Sequence, residues 1–355
     1  MSQPSFKKIV FVSGATGFIA KHIIGQLLET GEYKVIGSVR SQEKAELVQN
    51  LFSLDYDLSL LEFAIVPDIS KVDAFDEAFI KYGREIEYVV HTASPLFFHA
   101  EKSIENEILI PAVNGVKSIL SAIQLYGPNV KKFVFMSSFA ACGTKEFDSV
   151  SRNFINEETW NSISWEESKE SGYKAYYGGK TFSEKYCWHF VKENNPHFKV
   201  STILPTYVFG RQKFEEDVKQ KLNLSCEFIN EIVHSKPNTI VDNNLCRSFI
   251  DVEDVGKTVL QCLKDNNLEN QRLLLSNGRF TLQTIVNEIN ESFPQLRGKI
   301  AQPVYGIDED KIKTMATLDN NKTKKLLGFQ FKSFHACICD TVSQILATEK
   351  KMGCQ

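Results

Sequence analysis

Six short runs rich in β-branched and aromatic residues punctuate the N-terminal half of the chain: Lys8–Val12, Lys34–Val39, Leu61–Val66, Tyr88–His91, Phe133–Ser137 and Lys199–Leu204. Each is apolar nearly end to end rather than alternating, the pattern of a strand covered on both faces. Between them lie stretches with apolar residues at helical spacing, Ala20–Glu29, Ala74–Tyr82, Ile110–Tyr126 and Lys180–Glu193. This alternation predicts parallel strands joined by right-handed crossovers, an α/β fold with a Rossmann-type doubly wound sheet.

The rhythm loosens after Pro205. Helical patterns at Asp217–Ile232, Thr281–Phe293 and Ala336–Lys350 are separated by polar loops and by short strand patterns at Ser248–Val252 and Arg272–Ser276. We therefore expect a dinucleotide-binding domain over residues 1–205, with segments near 248–277 returning to it. Residues 206–355 are expected to form mostly a smaller, substrate-binding region. A long polar stretch, Gly143–Glu170, interrupts the first part and suggests an insertion.

Composition narrows the function classes. A chain of 355 residues, 43% hydrophobic, can bury a full core without cross-links. The formal charge of −3 is spread along the chain, so no basic stripe or acidic block points to nucleic acid or a membrane surface. The apolar runs are strand-sized, well short of a bilayer span. Met1–Lys8 lacks the charged and apolar regions of a signal peptide. Eight scattered cysteines fit reduced thiols. The expectation is a cytoplasmic protein, monomer or homodimer, with a small-molecule partner.

Candidate chemistry begins directly after the first strand, at Ser13-Gly14-Ala15-Thr16-Gly17-Phe18-Ile19-Ala20. Glycines in a strand–turn–helix setting let a pyrophosphate approach the backbone at a helix N-terminus, where free N–H groups and the helix dipole favour an anion. The second strand ends without the acidic residue that commonly holds a ribose 2′-hydroxyl. Ser38, Arg40 and Lys44 stand there instead, a set suited to a 2′-phosphate and hence to NADPH/NADP+. Of the eleven tyrosines, Tyr176 alone has a lysine four residues on, Lys180. At helical spacing the pair shares a face, and the ammonium would stabilise the phenolate. Ser137 and Ser138 fall at the carboxyl end of the fifth strand, where ligands of such sheets bind.

Taken together, the glycine motif, His91-Thr-Ala-Ser-Pro95, Ser137-Ser138, Tyr176-x-x-x-Lys180 and Pro205-Thr-Tyr-Val-Phe-Gly210 resemble the extended short-chain dehydrogenase/reductases. Within them the chain is most similar to the carbonyl reductases related to dihydroflavonol 4-reductase that reduce methylglyoxal and 3-methylbutanal with NADPH. Further similar stretches are Gly37–Lys44, Val66–Ser70, Ile110–Lys117, Ala316–Asp319 and Lys324–Phe329. The resemblance implies Tyr176 as proton donor, Lys180 as holder of the nicotinamide ribose, and Ser138 as the group that polarises the carbonyl. It also implies cofactor contacts from Gly14, Thr16, Gly17, Phe18, Ile19, Arg40 and Lys44, and from Asp68 and Ile69 around the adenine. Thr92 and Ala93 would pass beside the cofactor, with Pro205, Val208 and Ser225 contributing from later in the chain. Phe139, where relatives often carry tyrosine, and Thr206 depart from the pattern and bear on substrate choice.

Ser94-Pro95-Leu96-Phe97-Phe98 with Phe139 and Tyr207 suggests an aromatic wall, Phe97, Phe139 and Tyr207 being the pocket candidates. With no obvious charge there, an uncharged aldehyde, ketone or dicarbonyl fits best. Asn114 fits either a proton relay or a backbone contact. His335, Cys337 and Cys339 lack a second ligand pair, so core thiols, not a metal site, are expected. Two other readings stand beside the carbonyl reductase: an epimerase or dehydratase of the same fold, and an NADP-sensing protein without turnover.

Overall fold

The computed structural model describes residues 7–95, 98, 100–242 and 244–353. The six predicted runs form β1 (Lys8–Ser13), β2 (Tyr33–Val39), β3 (Leu61–Ile65), β4 (Ile86–His91), β5 (Lys132–Met136) and β6 (Lys199–Pro205). A seventh strand, β7 (Arg272–Leu275), completes a sheet of order β7-β6-β5-β4-β1-β2-β3. β1 pairs in parallel with β2 on one side, Val12 opposite Gly37, and with β4 on the other, Val12 opposite Val90. The strand order therefore reverses at β1, and the crevice at the carboxyl ends of β1 and β4 is the place where such sheets bind nucleotides.

The crossover helices are α1 (Phe18–Glu29), α2 (Gln42–Phe52), α3 (Asp76–Tyr82), α4 (Ile110–Tyr126) and α5 (Gly172–Asn194). One face of the sheet is sealed by aromatic packing: the Phe11 ring lies 5.1 Å from Phe79 and 6.1 Å from Phe75. A π-helical turn, Glu105–Leu109, runs into α4. The combined segment Glu105–Tyr126 is long and apolar enough to cross a bilayer, contrary to the reading of the apolar runs as strand-sized. Its apolar residues are spent on the core instead, with Val116, Ile119, Leu120 and Ile123 buried among sheet residues such as Phe133. α5 starts eight residues before the predicted Lys180. Ser171 caps it by accepting from the Lys174 amide, and Gly172, Gly178 and Gly179 lie within its first turns.

The chain divides into two compact units. The first comprises residues 1–144, 157–204 and 256–273, the second 145–156, 205–255 and 274–355. In the second, Cys246–Asp251 is the middle strand of a three-stranded sheet, antiparallel to Arg279–Thr281 and parallel to Tyr207–Phe209. Of the segments expected near 248–277, this strand joins the second unit, while residues 256–273 lie in the first. The helix expected over Asp217–Ile232 begins only at Leu224. The residues before it are held by side chains: the Leu222 amide donates to Glu227 at 2.5 Å, and Gln212 Nε2 donates to Asn223 Oδ1 at 2.9 Å. The polar stretch after Gly143 holds two one-turn helices, Lys145–Asp148 and Trp165–Ser168, and a strand Phe154–Ile155 paired with Thr317–Leu318.

Candidate active site

The glycine-rich loop is shaped by close approach. Gly14 has φ +73°, and a Cβ there would sit 3.1 Å from the Ala93 backbone at the end of β4. Its amide donates to Ser38 Oγ at 3.1 Å, and the Ala15 amide donates to the Ser38 carbonyl at 2.9 Å. Ser38 is thus a buried brace for the loop. Gly37 sits beneath: a Cβ there would come within 2.8 Å of the Ala15 methyl. Gly17 is the N-cap of α1 and brings no side-chain cap. The first-turn N–H groups, those of Phe18 and Ile19 among them, have no intrahelical carbonyl and point toward an anion site. Thr16 is exposed at the same turn.

Around this cradle, Arg40 and Lys44 are exposed at the end of β2 and in the first turn of α2. Asp68 holds its carboxyl below the usual range through hydrogen bonds from Ser70, with smaller help from Lys71 and Arg40. Ile69 lies 3.6 Å from where a Cβ of Gly115 in α4 would be. Thr92 and Ala93 are fixed by their amides, each donating to Ser13 Oγ at 3.0 Å, and the Thr92 hydroxyl donates to the Ser13 carbonyl. The residues of this loop fit a dinucleotide phosphate: α1 starts at a glycine with no side-chain cap, which leaves its first-turn N–H donors for an anion.

The structure brings the catalytic candidates together. Tyr176 and Lys180 lie one turn apart on α5, and Ser138 follows β5. The Tyr176 hydroxyl donates to Ser138 Oγ at 3.1 Å. The Ala140 amide also donates to that oxygen at 3.1 Å, fixing it at the head of a 3-10 turn. With its oxygen accepting twice, the Ser138 proton is left for a third group. Lys180 is buried and donates from Nζ to the Met136 carbonyl at 3.2 Å. Burial lowers its pKa to about 8, and Glu184, one turn further along the helix, works against that shift. Two hydroxyls therefore meet at the carboxyl end of β5 with the buried ammonium one helical turn away, a set able to hydrogen-bond an oxygen atom and give it a proton.

The aromatic candidates divide. Phe97 lies outside the described residues. Phe98, one position on, is the aromatic that meets the tyrosines, its ring stacked on Tyr173 at 4.6 Å and edge-on to Tyr176 at 5.9 Å. Phe139 is half-buried directly after Ser138. Tyr207 packs within the second unit against Phe280 at 5.7 Å and Phe228 at 6.0 Å. In the same unit Ser225 donates to the Val208 carbonyl at 2.6 Å, in the segment that follows Pro205. Asn114 donates to the Ser70 carbonyl at 2.8 Å, tying α4 to the loop after β3. The core-thiol reading holds for Cys337, which is buried, but Cys339 is partly exposed beside His335 and Glu288. There His335 Nδ1 and Glu288 Oε1 lie 2.7 Å apart. The Cys339 sulfur lies 3.8 Å from both ring nitrogens, so Glu288, His335 and Cys339 form a donor group of the kind a metal ion takes, which the core-thiol reading did not anticipate.

A signal absent from the sequence reading is Glu184. It is fully buried, accepts from Ser137 Oγ at 2.6 Å, and is ion-paired with Arg272 at 2.8 Å. The two are 88 residues apart, so no local motif announces them.

A doubly wound sheet with a glycine cradle at its switch point and a Ser–Tyr–Lys group beyond β5 defines a nucleotide-dependent enzyme of the short-chain type. The chain belongs to the NAD dependent epimerase/dehydratase family, whose model matches residues 10–274. It is 45% identical to the NADPH-dependent methylglyoxal reductase of Saccharomyces cerevisiae over 350 residues, covering 97% of this chain and 99% of that protein. Among solved structures, the yeast methylglyoxal/isovaleraldehyde reductase complexed with NADPH matches with a TM-score of 0.90 and 43% identity, over 98% of this chain and 100% of that one. A Candida albicans relative, also an NADPH complex, matches with a TM-score of 0.90 and 40% identity over 96% and 99% of the two chains.

Proposed function

We infer that this protein is an NADPH-dependent carbonyl reductase, converting small aldehydes, ketones or dicarbonyls to alcohols. The observation that carries the reading is the contact of 3.1 Å between Tyr176 Oη and Ser138 Oγ, with buried Lys180 one helical turn away. NADPH, when bound, supplies the hydride. The cradle at Gly14–Ile19 would hold its pyrophosphate, and Arg40 with Lys44 its 2′-phosphate. Ser138 and Tyr176 would both hydrogen-bond the substrate carbonyl oxygen. As negative charge develops on that oxygen, Tyr176 gives up its phenolic proton, and the Lys180 ammonium stabilises the phenolate left behind. Ser138 polarises the carbonyl and holds it still, a preorganised donor that needs no rearrangement during the reaction.

An epimerase or dehydratase is the alternative within the same family. The exposed Arg40 and Lys44 favour an exchangeable NADP over a permanently retained NAD. The full-length relatives named as methylglyoxal reductases support reduction. Methylglyoxal and 3-methylbutanal (isovaleraldehyde) are accordingly the substrates we propose to try, with an aryl ketone beside them. The assay is NADPH oxidation by wild type and Tyr176→Phe. Turnover that requires NADPH and drops by at least about a thousandfold in the variant supports the reading. Tight NADPH binding with no turnover of any carbonyl would move the protein to the sensing class. We further propose a reducing compartment such as the cytoplasm, since Cys142, Cys187, Cys226, Cys246, Cys262, Cys337 and Cys339 are all free. Fractionation of cells expressing a tagged chain tests it.

A further inference from the structure

Three successive turns of α5 grip three successive residues at the end of β5. Tyr176 meets Ser138, Lys180 meets the Met136 carbonyl, and Glu184 accepts from the Ser137 hydroxyl at 2.6 Å. Spacing of four puts the three side chains on one stripe of the helix.

The last of the three is held far more tightly than packing requires. Glu184 is completely buried, and a lone carboxylate in that position would be prohibitive. Its Oε1 accepts from Arg272 Nε at 2.8 Å, Thr202 Oγ1 at 2.7 Å and Trp188 Nε1 at 3.3 Å. Arg272 Nη2 adds a contact to Oε2 at 3.4 Å. Arg272 has no freedom either: Nη1 donates to the carbonyls of Glu157 at 2.5 Å and Thr159 at 2.9 Å, and its guanidinium lies 3.7 Å from the centre of the Trp160 ring. Strands β5, β6 and β7 thus converge on one carboxylate of the catalytic helix.

We propose that Glu184, locked by Arg272, is a positioning residue of the reduction, fixing the charge and place of Lys180 and, through the shared helix face, of Tyr176 against Ser138. The groups around Lys180 leave this task to Glu184. On its own helix stand Tyr176 and Glu184; from β4 comes His91, whose ring burial keeps neutral; from β5 the face of Phe135 at 6.0 Å. The cation facing Glu184 from β7 is Arg272, at 2.8 Å. Glu184 is the negative group that favours the charged form of Lys180 against its burial.

The proposal rests on the reductase reading, so the test carries one readout that needs turnover and one that does not. For wild type and variants, kcat/KM for NADPH and the NADPH dissociation constant (by fluorescence titration) are followed from pH 6 to pH 10. Glu184→Gln should move the alkaline limb of both profiles down by about half a pH unit or more, because Lys180 then loses its proton more readily. kcat at pH 7 should fall on the order of tenfold, with a smaller change in carbonyl KM. Glu184→Asp, which keeps the charge, should restore the limb even where kcat stays low. The neutral pair Glu184→Gln with Arg272→Met removes the stranded cation, guards against misfolding, and should show the same displaced limb. Folded Gln variants whose limbs coincide with wild type would overturn the proposal and leave Glu184 a packing element. A wild type that binds NADPH but turns nothing over would sink the reductase reading alone, since the binding profile still decides on Glu184.

Discussion

Ser13 and His91 close a buried hydrogen bond of 2.8 Å across the ends of β1 and β4. Ser13 Oγ already accepts from the amides of Thr92 and Ala93, so its own proton is directed at His91 Nδ1. The ring is thereby neutral and protonated on Nε2. Burial, and then the nearby Lys180 charge, lower its pKa to about 3.

This depressed value makes stability fall with acid. Above pH 6.5 the ring is neutral whether folded or not. As pH drops from about 6.5 toward 3, the unfolded chain takes up a proton that the folded one refuses, costing at most about 1.4 kcal/mol per pH unit. His91→Asn, neutral throughout, should flatten the fall in urea midpoint over that window. Parallel curves for the two proteins would show that other groups dominate.

Gly14 and Gly31 separate two uses of a left-handed residue. Both have positive φ, but a Cβ on Gly14 meets Ala93, whereas one on Gly31 meets nothing within 4 Å. Gly31→Ala should cost about 1 kcal/mol and leave NADPH affinity untouched. Gly14→Ala should cost more and weaken NADPH binding by about tenfold or more, because the loop must move off Ala93. Thermal melts with and without NADPH distinguish them.

Arg40 is the residue on which cofactor choice should turn. Arg40→Ala should weaken NADPH by about 10- to 100-fold, the equivalent of one charge-assisted hydrogen bond or a bidentate pair, with NADH little changed. An unaltered ratio of kcat/KM for the two cofactors would remove Arg40 from the 2′-phosphate site.

Lys180 sets an upper pH limit. Its folded pKa near 8 lies below the ordinary lysine value, so kcat/KM for NADPH should decline above about pH 8 as the ammonium is lost. Stability moves the other way: between pH 8 and the ordinary value only the unfolded chain keeps the proton at this site, so deprotonation there relieves the cost of burying the charge. Ser138→Ala should lower kcat by about a hundredfold while preserving both pH trends.

The sheet was legible because each strand is a compact apolar run, and α4 was read to its end residues because its apolar spacing never lapses. The apolar periodicity of α5 is legible only from Lys180, with Tyr176 joined to it by spacing alone: Gly172, Gly178 and Gly179 blur the helical pattern where the helix must press close. A Cβ on Gly178 would lie 2.0 Å from Ser168 Oγ, and one on Gly179 3.1 Å from Ala112. Tyr176 and Lys180 could be paired from their spacing, but Glu184 and Arg272 could not, since neighbours across three strands leave no periodic mark. Phe98 was visible only as part of a loop, because sequence does not say that its ring stacks on Tyr173 and meets Tyr176.

The way the chain is shared between its two units has a consequence for engineering. The backbone passes from one to the other five times, after residues 144, 156, 204, 255 and 273. A protease cutting at any single site can free neither unit intact, and no truncation yields the nucleotide-binding half alone. Replacing the second unit as a block would mean exchanging three separate segments in register. Changes to that unit are therefore more readily made by point substitution within those segments than by recombination.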